Sequence, residues 1–293
     1  MCAFIRGVQF SRNPSGPGAD SFAMQLIPED RLGLIRKAFT GSIAGKDDNL
    51  PAHAADEIIS RALRGMPTAA QVLGRSAYVE KKLETFASSG SAQYVILGAG
   101  LDSYALRKKT SSGVKVFEID RRETQDFKKK QIIRINGTLP SDTECISADL
   151  SLEKLSAALQ RSSFDRNVPA FFSAQGLLMY LAPEEIANLF CEIASVSMPG
   201  SLVSFDYFDE ETHNPEKSSE AFRAWLDQGK LTGELFKSCF SIDELRGIAD
   251  TNGFRIEEHL EPEDIQKRFF ENHPDGYSAC EHVHFMTLEK TKG

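Results

Sequence analysis

Between Gly90 and Tyr207 this chain sets short, unbroken apolar runs between stretches of helical period, and that alternation restricts its fold more than any other feature. Five runs have strand length and are apolar on both faces: 94–97, 114–119, 145–148, 169–174 and 202–207. The strongest intervening helix spans 183–195. It opens on Pro183, carries Ile186, Leu189, Phe190 and Ile193 on one face, and ends at Met198-Pro199-Gly200. Buried strands alternating with helices imply a parallel sheet covered on both sides. The pattern then changes. Ser241 and Glu244 form a capping box on a helix that runs to Thr251, and Gly253 stops it. Residues 254–260 and 282–288 alternate like half-exposed strands with no helical crossover between them, which reads as an antiparallel hairpin. The expectation is an α/β, mostly parallel seven-stranded sheet with an antiparallel C-terminal hairpin.

The flanks of this core differ. Asn13-Pro14-Ser15-Gly16-Pro17-Gly18 is a breaker cluster and reads as a flexible lead-in. Helical spacing follows: Leu32, Ile35, Ala38 and Phe39, then Ile58, Ile59 and Leu63, with a loop expected at 41–51. Residues 209–240 are polar and part-helical, with Phe222, Trp225, Leu226, Leu235 and Phe236 among them, and suit a lid inserted after the fifth strand. The organisation expected is a single domain: a helical cap (1–89), a ligand-binding core (90–208), a lid (209–240), and a closing helix and hairpin (241–293).

Composition excludes several classes of function. Net charge is −8, with 34 Lys and Arg against 42 Asp and Glu, which argues against binding to a nucleic-acid backbone. Lys128-Lys129-Lys130 reads as a solvated helix face. No run approaches the ~18 apolar residues of a membrane span. The first ten residues are too short an apolar run for a secretory signal. Five widely spaced cysteines without a C-x-x-C pair suit neither a disulfide framework nor a zinc site, so a reducing, cytoplasmic setting is expected and no metal.

The richest segment follows the first strand. Leu97-Gly98-Ala99-Gly100-Leu101-Asp102-Ser103 carries a strand through a glycine turn into a helix, at the sheet edge where ligands bind. Asp120, 20 residues after Gly100, ends the next strand in Glu118-Ile119-Asp120 and can accept hydrogen bonds from ribose hydroxyls, and Glu118 beside it is a second candidate cofactor-binding acid. A dinucleotide fingerprint wants a third glycine where Ser103 stands, and Asp102 would repel a pyrophosphate. The acidic loop instead suits a cationic nucleoside without phosphate, S-adenosylmethionine. Asp102 serves equally as a helix N-cap.

Gly98-Ala99-Gly100-Leu101-Asp102-Ser103-Tyr104-Ala105-Leu106-Arg107, followed by Phe117-Glu118-Ile119-Asp120, resembles the leucine carboxyl methyltransferase family, over roughly residues 75–206. That resemblance implies a class I methyltransferase, Rossmann-like fold and S-adenosyl-L-methionine as cofactor. It also implies that Arg75, in Gly74-Arg75-Ser76-Ala77-Tyr78-Val79-Glu80, grips the cofactor carboxylate, for which a planar guanidinium fork is suited. Ala77 replaces the second basic residue of the family pattern, and Glu80 stands where Asp is usual. By the same resemblance Asp149 accepts from the adenine amino group and Leu150 packs on the ring. Bare sequence gives Asp149 an N-cap role as readily, ahead of Ser151 to Lys154. Ala174-Gln175-Gly176 with Tyr180-Leu181 resembles the family's fourth-strand segment, with Gln175 in place of the usual glutamate; an amide still accepts a hydrogen bond but brings no charge.

Methyl transfer from a sulfonium needs alignment above all. A carboxylate acceptor needs no base, whereas a hydroxyl does. Tyr180, which is also readable as a core tyrosine, and His213, in the loop after the fifth strand, are the candidate catalytic residues. His282 and His284 read as satisfied strand histidines. The expected function is O-methylation of a carboxylate or hydroxyl on a small molecule, a secondary metabolite being the candidate class, with no nucleic-acid or membrane partner. The alternatives are a protein C-terminal carboxyl methyltransferase, a non-methylating binder or cyclase on the same fold and, most distant, an NAD oxidoreductase.

Overall fold

The computed structural model describes residues 1–41, 52–88, 90, 92–108, 113–233 and 235–292. The loop expected at 41–51 lies outside them beyond Gly41.

Seven strands form one sheet: β1 (Ala92–Leu97), β2 (Val114–Asp120), β3 (Thr143–Ser147), β4 (Ala170–Ala174), β5 (Leu202–Phe208), β6 (Phe254–Leu260) and β7 (Val283–Lys290). Their order is β3-β2-β1-β4-β5-β7-β6. β1 to β5 pair in parallel, and β7 pairs antiparallel with both β5 and β6. β7 alone therefore opposes the others. The sequence alternation found both closing strands, which pair antiparallel as expected, across a long connection. A further helical stretch, including a π-helical turn at Gln266–Phe270, separates them and lets β7 slot between β5 and β6.

Helices cover both faces because β1 and β4 are buried throughout their length. On β1, Tyr94 and Ile96 join one hydrophobic cluster, and Val95 and Leu97 the other, which is the period-2 alternation of a strand. The first cluster is packed chiefly by the N-terminal helices α1 (Cys2–Arg12), α2 (Glu29–Gly41), α3 (Ala52–Arg64) and α4 (Pro67–Ala87), joined by later residues such as Phe222 and Leu226. Proline at its first turn starts α4, which then runs across β1, β4, β5 and β7. Gly74 lets it approach Phe285, and the Tyr78 hydroxyl meets Thr287 Oγ1 at 2.6 Å.

The short α5 (Tyr104–Arg107) follows β1, and α6 (Arg122–Asn136) follows β2. The second cluster is packed by α7 (Leu155–Leu159), α8 (Pro183–Val196) and, beyond α9 (Glu220–Thr232), by α10 (Ile242–Thr251), whose Ser241–Glu244 capping box is formed as expected. A last short helix, α11 (Pro262–Ile265), follows β6.

Two sequence readings change. The 13–18 cluster is not a flexible lead-in: it follows a helix, residues 2–12, whose Ala3, Phe4, Ile5 and Val8 are core, Asn13 bonds to Asp275, and the Gly18 turn (φ +64°) lies against the Leu73 backbone. Lys128 is not on a solvated face. It is buried, with Nζ 2.6 Å from Glu118 Oε2. Gln125, Lys128 and Ile132 make the inner stripe of α6, so the middle of that helix turns one lysine inward.

Candidate active site

At the C-terminal ends of β1 and β4 lies a cavity of about 420 Å³, roofed by α1, α2, α4 and α9. Its floor is the turn from Gly98 to Asp102. Gln175 and Gly176 line one side, and Tyr180, Trp225 and Phe236 make an aromatic wall beside Met179. Arg6, Arg31 and Arg75 reach it from the helices.

The glycine turn is shaped by positive φ at Gly98 (+66°) and Gly100 (+48°), where an L side chain would be strained. At Gly98 an added Cβ would also press on Leu177 at 3.3 Å. The N–H groups of Gly98 and Ala99 donate to the Ile119 carbonyl, at 2.9 and 3.1 Å. Gly100 N–H donates to Asp120 Oδ2 at 2.6 Å, and Arg121 N–H donates to Asp120 Oδ1 at 2.7 Å. Asp120 thus ties the β2 end to the glycine turn and lies beside the cavity rather than among its lining residues. Asp102 does line it, while its Oδ1 accepts from Tyr104 N–H at 2.8 Å. Ser103, not Asp102, is the N-cap of α5; Asp102 instead closes a local turn onto Tyr104 N–H and stays in the site. Behind the turn Ser103 donates to Asp20, which also pairs with Arg6 and Arg107, and Arg107 pairs with Glu80.

On the other side a second network centres on Asp206, which sequence reasoning missed. Asp206 Oδ2 accepts from Arg75 Nη1 at 3.0 Å and from Gln71 Nε2 at 2.8 Å; Oδ1 accepts from Gly176 N–H at 2.6 Å. Gly176 has φ +61°, and a Cβ there would lie 2.5–2.7 Å from the Arg75 guanidinium. Burial works against the Arg75 charge. The Asp206 carboxylate more than offsets it and holds the guanidinium above its ordinary value. Two signals were present: Gln71 and Arg75 stand four apart on one helix face, and Asp206 is a lone acid in the apolar run 202–208.

Other sequence-assigned residues fall elsewhere. Glu118 is fully buried against Lys128 and does not reach the cavity; burial pushes its carboxyl up, against the pull of that ammonium. Asp149 accepts from Ser151 N–H and Oγ–H and lines a shallower recess with Arg121 and Arg122 at the ends of β2 and β3. Leu150 packs on the second cluster. Tyr180 ends a 3₁₀ turn with its ring 5.6 Å from Phe236.

His213 corrects an expectation. The 3₁₀ turn Glu210–His213 buries Thr212 and turns His213 into solvent, away from the cavity lining. His282 and His284 both contact the Asp209 carboxylate, at 3.0 and 3.2 Å. His284 also meets His259 at 3.2 Å, and the Tyr207 hydroxyl lies 2.9 Å from His259 Nε2. These are satisfied strand-end histidines, as the sequence suggested. They secure the start of the 209–240 segment, whose far end returns through Phe240 N–H donating to the Phe208 carbonyl. No group of residues suited to a metal ion occurs among the described residues, and no helix among them is long and apolar enough to cross a membrane.

The sequence profile of the leucine carboxyl methyltransferase family matches residues 1–194. YktD of Bacillus subtilis (strain 168), named as an S-adenosyl-L-methionine-dependent methyltransferase, is 35% identical over 219 residues, 74% of this chain and 72% of its own length. A similarly named protein of Mycobacteroides abscessus is 36% identical over 155 residues, 53% of this chain and half of its own length. Among solved structures, one from Thermobifida fusca YX described as a methyltransferase has a TM-score of 0.56 at 15% identity, covering 88% of this chain and 95% of that one. A DUF574 family protein from Streptomyces avermitilis also has 0.56 at 11% identity, covering 87% and 97%. Those two likenesses concern the fold.

Proposed function

The chain belongs to the leucine carboxyl methyltransferase family and is an S-adenosyl-L-methionine-dependent methyltransferase; from that premise we propose that it methylates a carboxylate oxygen of a small molecule with an apolar body. One observation carries this reading. The cavity is lined by three guanidiniums and an aromatic wall, and by no histidine, lysine or glutamate among the described residues; its one carboxylate, Asp102, already accepts from Tyr104 N–H and serves the cofactor's amino group. A hydroxyl acceptor would need a base to take its proton, whereas a carboxylate is already nucleophilic and is held by guanidinium.

The residues suit the cofactor. A cavity of about 420 Å³ is of ligand-site size. In this reading Arg75 takes the carboxylate of the amino-acid tail, Asp102 and Gln175 its amino group, and the turn 98–100 allows close approach of the nucleoside. Asp120 stands for the ribose, and Asp149, in the neighbouring recess, for the adenine amino group. The cofactor supplies an activated methyl group on sulfur. The protein holds the acceptor oxygen in line with it and keeps water out, by which alignment contributes on the order of 7–11 kcal/mol.

Tyr180, Trp225 and Phe236 pack the acceptor body. Residues 209–240 act as its lid, and Arg31, at the rim with its guanidinium 5.5 Å from the Phe127 ring centroid, meets its carboxylate. A panel of small carboxylic acids, phenols and peptides with free C-termini, assayed by labelled methyl transfer, tests this. Small acids are expected to react, and Arg31→Gln to raise the acceptor KM about tenfold with cofactor affinity unchanged. Transfer to phenols or peptides alone would reject it.

A further inference from the structure

Asp206 is only 1% exposed and is not among the cavity's lining residues, so it does not touch a ligand there. Yet its carboxylate collects three donors from two separate elements that do line the cavity. Arg75 and Gln71 come from α4, and Gly176 N–H from the turn that follows β4. We infer that Asp206 is the positioning residue of the amino-acid-tail subsite: it fixes which edge of the Arg75 guanidinium faces the cofactor. This deepens the proposed function and rests on its reading of Arg75.

The argument is geometric. Both carboxylate oxygens are engaged, and one of them takes Nη1 of Arg75. The plane of the fork is then set by what lies around it, and Gly176 offers a bare backbone where any side chain would collide with the guanidinium. Nη2 is left with a weak neighbour, Cys2 Sγ, at 3.5 Å. A guanidinium pinned at one nitrogen and seated on a glycine has lost most of its rotamer freedom before the cofactor arrives. That freedom is what an exposed arginine would have to give up on binding. Gln71, one turn before Arg75, serves the same oxygen and holds the carboxylate in place. Nothing in this arrangement concerns the nucleoside half of the cofactor, so the effect of Asp206 is confined to the tail.

That confinement supplies the test. S-adenosylhomocysteine carries the amino-acid tail; 5′-deoxy-5′-methylthioadenosine has the same nucleoside and thioether without it. Calorimetry gives the ratio of the two affinities for wild type, Arg75→Ala, Asp206→Asn and the double variant. Wild type is expected to prefer the tailed compound by about tenfold or more, as a charged hydrogen-bond pair would give. Arg75→Ala and Asp206→Asn should each bring the ratio near one without weakening methylthioadenosine, and the double variant should match Arg75→Ala.

If Arg75→Ala keeps the preference, the reading of Arg75 itself fails. A collapse with Arg75→Ala but not with Asp206→Asn leaves that reading standing and overturns the role of Asp206. Equal weakening of both compounds by Asp206→Asn would make it merely structural and also overturns the inference. Should Asp206→Asn not fold, Arg75→Lys decides. Its single ammonium is held by Asp206 and has no second edge to offer, so the preference should vanish; a preserved preference rejects the inference.

Discussion

A methyl group added at position 176 has nowhere to go. The turn there sits at φ +61°, and the space beside its Cα is filled by the Arg75 guanidinium. Gly176→Ala therefore combines backbone strain of about 1–3 kcal/mol with displacement of the arginine. It is expected to lower the melting temperature modestly and S-adenosylhomocysteine affinity about tenfold or more. Retained affinity in calorimetry would show that the guanidinium can move without loss. Lys128 teaches a different lesson at the same scale. In the sequence it is the first of three lysines and looks solvated. Only the carboxylate of Glu118 on β2, ten residues upstream, makes its burial tolerable, because a buried ammonium needs a partner. Pairings of that kind leave no local trace, whereas the glycine turn and Asp120 were legible because their residue types and spacing are set by backbone geometry.

Among elements, the five parallel strands were legible within about two residues, since burial on both faces demands continuous apolar runs. The first helix was not. It is short, and Phe4, Ile5 and Val8 mark its core face only once something is known to lie opposite. His213 was placed by its loop, and a loop position does not say which way a side chain points. The strand-end histidines set a pH dependence. Burial, and then His284, hold the His259 imidazole below its ordinary 6.5. A histidine whose pKa drops on folding contributes stability that is present above the unfolded value and lost as pH falls through the folded one. The melting temperature should thus decline on acidification from about pH 7.5 to 5.5. In His259→Gln, which keeps a side-chain polar group without titrating there, the decline should be shallower. Parallel declines in calorimetric scans would remove His259 from the account.

At the scale of the molecule, the site is assembled from distant parts of the chain. Helices α1, α2 and α4, the turns after β1 and β4, and the segment after β5 all contribute lining residues. Asp206 stands on β5, flanked on one side by β7 through the Asp206–Phe285 pair. Strand order is therefore part of the binding function. A chain shortened to residues 1–282 lacks β7, leaves the β5 edge unpaired and is expected to show no S-adenosylhomocysteine binding and rapid proteolysis. Native-like affinity in the shortened chain would show that the site forms without β7.

The insertion of β7 between β5 and β6 also bears on biosynthesis. While the ribosome is still translating, β5 and β6 emerge with a gap between them that only a strand some 75 residues downstream of β5 can fill. The nascent polypeptide must wait with open edges, exposed to chaperones and to mispairing, until β7, which ends at Lys290, has left the ribosome. Catalytic competence should then arrive in one step, late, rather than grow as the chain lengthens.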